Sequence, residues 1–218
     1  MNSSIVIDIE TENTGYDVME DNKRILSIQT YDGDKGMIYY DGSDTNNLND
    51  AKKFLEDQID QGTNFVGFNV RNFDVRFIRE FMKVNIPNSQ IVDIGELEKT
   101  NHIKQKMGKK WPRLVEICNF LEIDCSHKNL MDENSLQFKD LPDVKKLSKE
   151  GAEKICKEKP WWTYDYAYNR TITSISTGMA ILKSFKDFVK SGGNTDSLFY
   201  KYAMGDVISE HLLYEQVK

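Results

Sequence analysis

The chain opens on an apolar run, residues 4–9 (SIVIDI), that reads as a buried strand. Residues 24–31 (RILSIQTY) alternate apolar and polar positions like a second strand, and 37–40 (MIYY) read as a third. The DGDKG between them is made of turn formers, so the pair is expected to be a hairpin. At 49–61 the period lengthens to that of a helix: Ala51, Phe54, Leu55 and Ile59 share a face, and Gly62 supplies a stop. Residues 64–68 give a short strand, and 74–84 a helix with Val75, Ile78 and Met82 on one side, ending before Pro87. Residues 90–94 give another strand, and a helix is expected from Gly95.

Helical spacing returns at 112–121 through Leu114, Val115, Cys118 and Leu121, with Pro112 suited to a first turn. Residues 126–159 are charged, lysine-rich and weakly periodic, and read as short helices and loops inserted into the fold. The aromatic stretch WWTYDYAYN, 161–169, closes that insertion of about 126–169. Packed inward, its rings would pin the insertion to the core, which is the expected role. Exposed, they would stack unpaired bases. Residues 170–190 have a helical pattern, and Asn194 or Thr195 is placed to cap a last helix running to about 216. This order implies a single α/β domain over 1–218, with a mixed five-stranded sheet flanked by helices. In open sheets of this kind ligands gather at the carboxyl ends of strands.

Composition narrows the function classes. The net charge of −6 argues against coating nucleic acid by bulk charge, though it permits a local basic groove. No apolar run approaches the roughly 20 residues of a membrane helix. The first residues lack the basic stretch and long apolar region of a secretion signal, so a cytoplasmic location is expected. Cys118, Cys125 and Cys156 have no paired spacing and fit reduced thiols, and three scattered histidines do not suggest zinc.

Asp8 and Glu10 stand one residue apart at the end of the first strand, so they point the same way and repel unless a cation lies between them. Without one, at least one of the two should titrate with a raised pKa. Two further acids bear on this. Asp74 opens a helix after Asn69 and Phe73, and Tyr202 and Asp206, four apart, share a helical face. Together, Asp8-Ile9-Glu10-Thr11, Asn69 through Phe73-Asp74, and Tyr202 with Asp206 resemble, in the right order, the three motifs of the DEDD exonuclease superfamily. The likeness is greatest to the proofreading exonuclease domain of family-B DNA polymerases, and it spans about residues 4–125 and 170–217. Polymerase motifs are absent, so the resemblance implies a stand-alone domain with a ribonuclease H-like fold. A histidine at the position of Tyr202 would mark the other subclass. His211 follows Asp206 and does not fit, so the tyrosine subclass is implied.

The resemblance implies a two-ion site for Mg2+ or Mn2+, which suits hard carboxylate ligands. By that likeness Asp8 would touch both ions, Glu10 and Asp206 would complete one site, and Asp74 would hold the second ion. Tyr202 would orient the attacking water. Thr11, Asn69 and Phe73 would contact the 3′-terminal nucleotide, although Phe73 also suits the core and Asn69 a strand–helix turn. The implied activity is 3′–5′ hydrolysis of single-stranded DNA ends to 5′-mononucleotides, in proofreading or repair, with a polymerase or repair factor as partner. Alternatives are an RNA 3′-end exonuclease, a non-catalytic nucleic-acid-binding module on the same fold, or an endonuclease. Residues 99–113 (KTNHIKQKMGKKWPR) form the strongest basic cluster, in which Lys109 and Lys110 would touch a nucleic-acid backbone or face solvent.

Overall fold

The computed structural model describes residues 3–13, 15–16 and 24–218. It divides into two compact units. The first holds residues 1–10, 25–128 and 200–218, and the second 11–24 and 129–199. The segment expected to be inserted therefore falls, from residue 129, in the second unit, which continues to Phe199.

Strands β1 (Ser4–Thr11), β2 (Ile25–Tyr31) and β3 (Gly36–Tyr40) lead to helix α1 (Leu48–Asp60) and strand β4 (Asn64–Gly67). A short helix α2 (Asp74–Phe77), strand β5 (Ile91–Asp93) and helices α3 (Glu98–Met107) and α4 (Leu114–Phe120) follow. The sheet order is β3-β2-β1-β4-β5. β2 and β3 form the expected antiparallel hairpin, while β1, β4 and β5 run parallel. The mixed five-stranded sheet read from the pattern is thus the one observed. Its hairpin turn is held by Asp32, whose Oδ1 accepts from the N–H groups of Asp34 and Lys35.

The core of this unit packs Ile5, Ile7 and Ile9 of β1 and Phe65 of β4 with Leu55 of α1 and Phe77 and Ile78 after β4. Each such side chain contributes about 1.5–3 kcal/mol relative to exposure. α1 is stopped from fraying by a reciprocal cap between Asn47 and Asp50. The helix expected at 74–84 is α-helical only to Phe77 and then widens into a π turn, Ile78–Met82, closed by Lys83 in the left-handed conformation.

Helix α5 (His127–Lys139) begins at the end of the first unit. Helices α6 (Pro142–Glu158) and α7 (Tyr164–Lys190) form an antiparallel pair in the second. Where short helices and loops were expected, the chain builds two substantial helices, and α7 starts six residues before the expected 170. The buried positions explain why the pattern is weak. They include Ser135 in α5 and Ser148, Gly151 and Ala152 in α6, which are small rather than strongly apolar. A Cβ at Gly178 of α7 would lie 1.9 Å from the Asn13 carbonyl, so only glycine permits that approach. Phe185, Phe188 and Phe199 pack together in this unit.

Helix α8 (Leu198–Val217) closes the chain. It starts later than a cap at Asn194 or Thr195 would require, because Asn194 instead turns the chain by accepting from the Asp196 N–H. Its residues Met204 and His211 meet Gly36 and Gly33 of the β2–β3 hairpin. Ser27 and Gln29, the polar alternates of β2, are buried, and Gln29 Nε2 donates to Ser27 Oγ.

Candidate active site

The site is built where parallel strands β1 and β4 end. Alternation along β1 sends Asp8 and Glu10 to one side, with Ile7 and Ile9 in the core. β4 stops at Gly67, where a Cβ would meet Val70 at 2.8 Å and the Ile7 carbonyl at 3.0 Å. Asn69 then adopts the left-handed conformation, φ 61°. Asp93 at the end of β5 fixes this turn, its Oδ1 accepting from the Asn69 and Gly95 N–H groups and its Oδ2 from that of Arg71. The turn delivers Asp74, whose Oδ1 accepts from the Ile9 N–H at 3.1 Å, between the two strand carboxylates.

Helix α8 supplies the opposite wall. Tyr202, Asp206 and Glu210 recur every four residues, so they form one stripe, and all three are buried. Ligand oxygens of Asp8, Glu10 and Asp206 lie within 4.8 Å of one another. Asp206 is thus brought to Asp8 and Glu10 from far along the chain.

The electrostatics follow from burial and crowding. Burial first, then the Asp206 charge, raise Asp8 to about 8. Glu10 is pushed well above the usual carboxylate range by burial and by Asp8. Burial and Asp8 do the same to Asp74, and burial followed by Asp8 and Asp74 to Glu210. The raised pKa expected of the strand pair is therefore present. Asp206 is the exception. Burial works against its charge, but Lys128 and His127 outweigh it and hold its carboxyl low. Lys128 Nζ donates to Asp206 Oδ2 at 2.6 Å and lies 3.4 Å from the Tyr202 oxygen, and its ammonium sits 4.7 Å from that ring. His127 Nε2 is 2.9 Å from Asp206 Oδ1. The His127 ring fits because Gly205 has no side chain: a Cβ there would be 2.4 Å from it.

These contacts include groups that sequence reasoning missed. Glu210 was legible as the next member of the Tyr202–Asp206 spacing. His127 and Lys128 had no such signal, since they open a helix in a segment read as inserted. Asp93 looked like the end of a strand and proves to be the brace of the Asn69 turn.

The donor set suits a hard divalent cation. Oxygen ligands converge, and the buried Asp8 Oδ2 and Glu210 Oε2 lack a hydrogen-bond partner. An unpaired buried carboxylate oxygen is costly unless something binds it. Asp8, Glu10 and Asp206 are the residues that could hold such an ion, with Asp74 and Glu210 adjoining.

Thr11 is the buried last residue of β1. Phe73 packs on the core edge-to-face with Phe77, as its core reading anticipated. Asn69 is exposed, on a cleft of about 420 Å³ lined also by Phe68, Asn72, Lys104 and Trp111. Phe68 borders the stripe too, its N–H donating to Glu210. Lys109 pairs with Glu116 at 2.8 Å, and Lys110 sits over the Trp111 ring. His211 packs edge-to-face on Tyr31. Cys118, Cys125 and Cys156 are free thiols. Among the described residues, no helix is long and apolar enough to cross a membrane.

No curated protein sequence matches the chain. Residues 5–135, more than half of it, match the family model of the RNase_H superfamily, and with its mixed five-stranded sheet and converging carboxylates the chain belongs to that superfamily.

Proposed function

We propose that the protein is a metal-dependent 3′–5′ exonuclease of the DEDD superfamily, tyrosine subclass, acting on single-stranded DNA ends. The observation that carries the reading is the convergence of Asp8, Glu10 and Asp206 within 4.8 Å beside the buried Tyr202. Membership in a superfamily of nucleic-acid hydrolases supports the same chemistry. Bound divalent ions, two per site and Mg2+ or Mn2+, would neutralise phosphate charge and activate water. Asp8, Glu10 and Asp206 would hold those ions, and Asp74 adjoins them through the Ile9 amide. Tyr202 keeps its phenolic proton, since burial pushes its pKa well up, so it orients water as a neutral donor. Lys128 lies beside Tyr202 and Asp206, where a cation favours the developing negative charge of a phosphoryl transition state. The cleft lined by Phe68, Asn69, Asn72 and Trp111 has the aromatic faces and amides to receive a terminal nucleotide.

The test uses 5′-labelled single-stranded DNA with Mg2+ or Mn2+. The expected result is a ladder shortening from the 3′ end, abolished in Asp8→Ala. Inactivity with both metals on DNA and RNA overturns the enzymatic reading. Preference for matched RNA reassigns the substrate, and cleavage of circular DNA makes the protein an endonuclease.

A further inference from the structure

The turn joining α6 to α7 carries an aromatic patch that the proposed active site does not use. Trp161 is 76% exposed, and Tyr166 and Tyr164 are 52% and 44% exposed. The packed cluster expected from the sequence is therefore not what forms. The backbone beneath is fixed: the Trp162 N–H donates to the Lys159 carbonyl at 2.9 Å, and Thr163 caps α7 by accepting from the Tyr166 N–H. Trp162 is the scaffold. Its ring meets Tyr166 edge-to-face at 4.7 Å and lies under Lys159 and Arg170, at 4.6 and 5.5 Å. Tyr164 and Tyr168 stack with planes 15° apart. Exposed rings grouped in this way mark an interaction surface.

Charge selects the occupant. Between residues 154 and 170 there are four cations (Lys154, Lys157, Lys159, Arg170) against two acids, Glu158 and Asp165, in a chain whose net charge is −6. The patch opposes the sign of the whole, as a phosphate-bearing ligand requires. The core of a protein–protein interface is depleted in charge, whereas these rings are interleaved with it. A membrane-inserting face carries aliphatic side chains, and residues 157–170 contain no Leu, Ile, Val, Met or Phe. We infer that the α6–α7 turn is a second binding site for single-stranded nucleic acid. Bases stack on Trp161 and Tyr166, while Lys159 and Arg170 meet the phosphates. The choice of ligand rests on the nuclease reading, but the site needs none of the acids that cleave.

The experiment measures fluorescence anisotropy of a labelled oligothymidylate on full-length Asp8→Ala protein in chelator, so that nothing is degraded. Trp161→Ala with Tyr166→Ala should weaken binding at least tenfold with unchanged thermal stability. Trp161→Phe should retain most of the affinity. Lys159→Ala should flatten the salt dependence, which the ring variants leave intact. Unchanged affinity in the double Ala variant overturns the inference, as does equal loss in Trp161→Phe. Binding of the parent patch to anionic vesicles in preference to the oligonucleotide also overturns it. An inactive wild-type enzyme would sink the nuclease proposal yet leave this measurement standing, so the two fail separately.

Discussion

The end of β1 and the α6–α7 turn reverse the usual distribution of side chains in opposite senses. At the first, Glu10, Asp74, Asp206 and Glu210 are buried, where charge is expensive. At the second, Trp161 stands in water, where apolar surface is expensive. Both arrangements rest on rigid supports: β1, the Asn69 turn and α8 for the acids, and a capped helix start for the rings. What differs is the missing complement. The acids call for compact positive charge, and the rings call for flat apolar faces that also bear phosphate. A nuclease has reason to carry both, one to cleave and one to hold.

Separating the two is the sharpest test. Asp8→Ala should cut hydrolysis on the order of a thousandfold or more, while anisotropy shows oligonucleotide binding at the turn retained. Loss of binding along with cleavage would merge the two regions into one site.

The second prediction concerns pH. An acid whose pKa is raised in the folded state keeps its proton there when the unfolded chain has already lost it, so stability falls as pH rises between the two values. Asp8, raised from 3.8 to about 8, with Glu10 raised likewise, should make melting temperature in chelator fall from pH 4 toward 8. Asp206, held low, runs the other way and weakens the fold only as pH drops below the ordinary carboxylate range. Added Mg2+ or Mn2+ should recover the loss near pH 8. A flat profile in chelator would show that the carboxylates do not share a site. Trp161→Ala should leave the profile unchanged.

Third, Lys128→Met removes the partly exposed cation that pairs with the buried Asp206. Lys128 is 27% exposed and His127 still pairs with Asp206, so the loss in chelator should be about 1–3 kcal/mol, read by urea denaturation, with part of that regained when divalent metal is added. Fourth, Gly205→Ala places a methyl against the His127 ring and should cost about 1–3 kcal/mol by the same assay. An unaffected Gly205→Ala protein would mean His127 moves freely and does not anchor Asp206. The smallest effect belongs to the basic cluster. Lys109→Ala with Lys110→Ala should reduce the salt slope of nucleic-acid binding by about 2 or less, since Lys109 already pairs with Glu116.

The sheet and three of the acids were legible because two simple periods carry them, while Asp74 was reached only through the motif resemblance. Alternation puts Asp8 and Glu10 on one side of a strand, and four-residue spacing puts Tyr202 beside Asp206 on a helix. The same arithmetic extended one step reaches Glu210. Local periodicity has no hold on partners that meet across the chain: His127 and Lys128 reach Asp206 over 79 and 78 residues. The helices α5 and α6 were hard to read for another reason. Their buried faces include Ser135, Ser148 and Gly151, small residues that carry no apolar signal. The exposed rings of the α6–α7 turn misled in the opposite direction, since aromatic density usually signals packing.

Lys128 has a consequence for how the protein comes into being. Its ammonium already sits among Asp206, Tyr202 and Asp8. A newly made chain therefore carries an internal stand-in for part of the positive charge its acids require. On the metal-dependent reading proposed above, folding would not need to wait for a divalent ion to arrive. On the same reading, loading would exchange one cation's hold on Asp206 for another's.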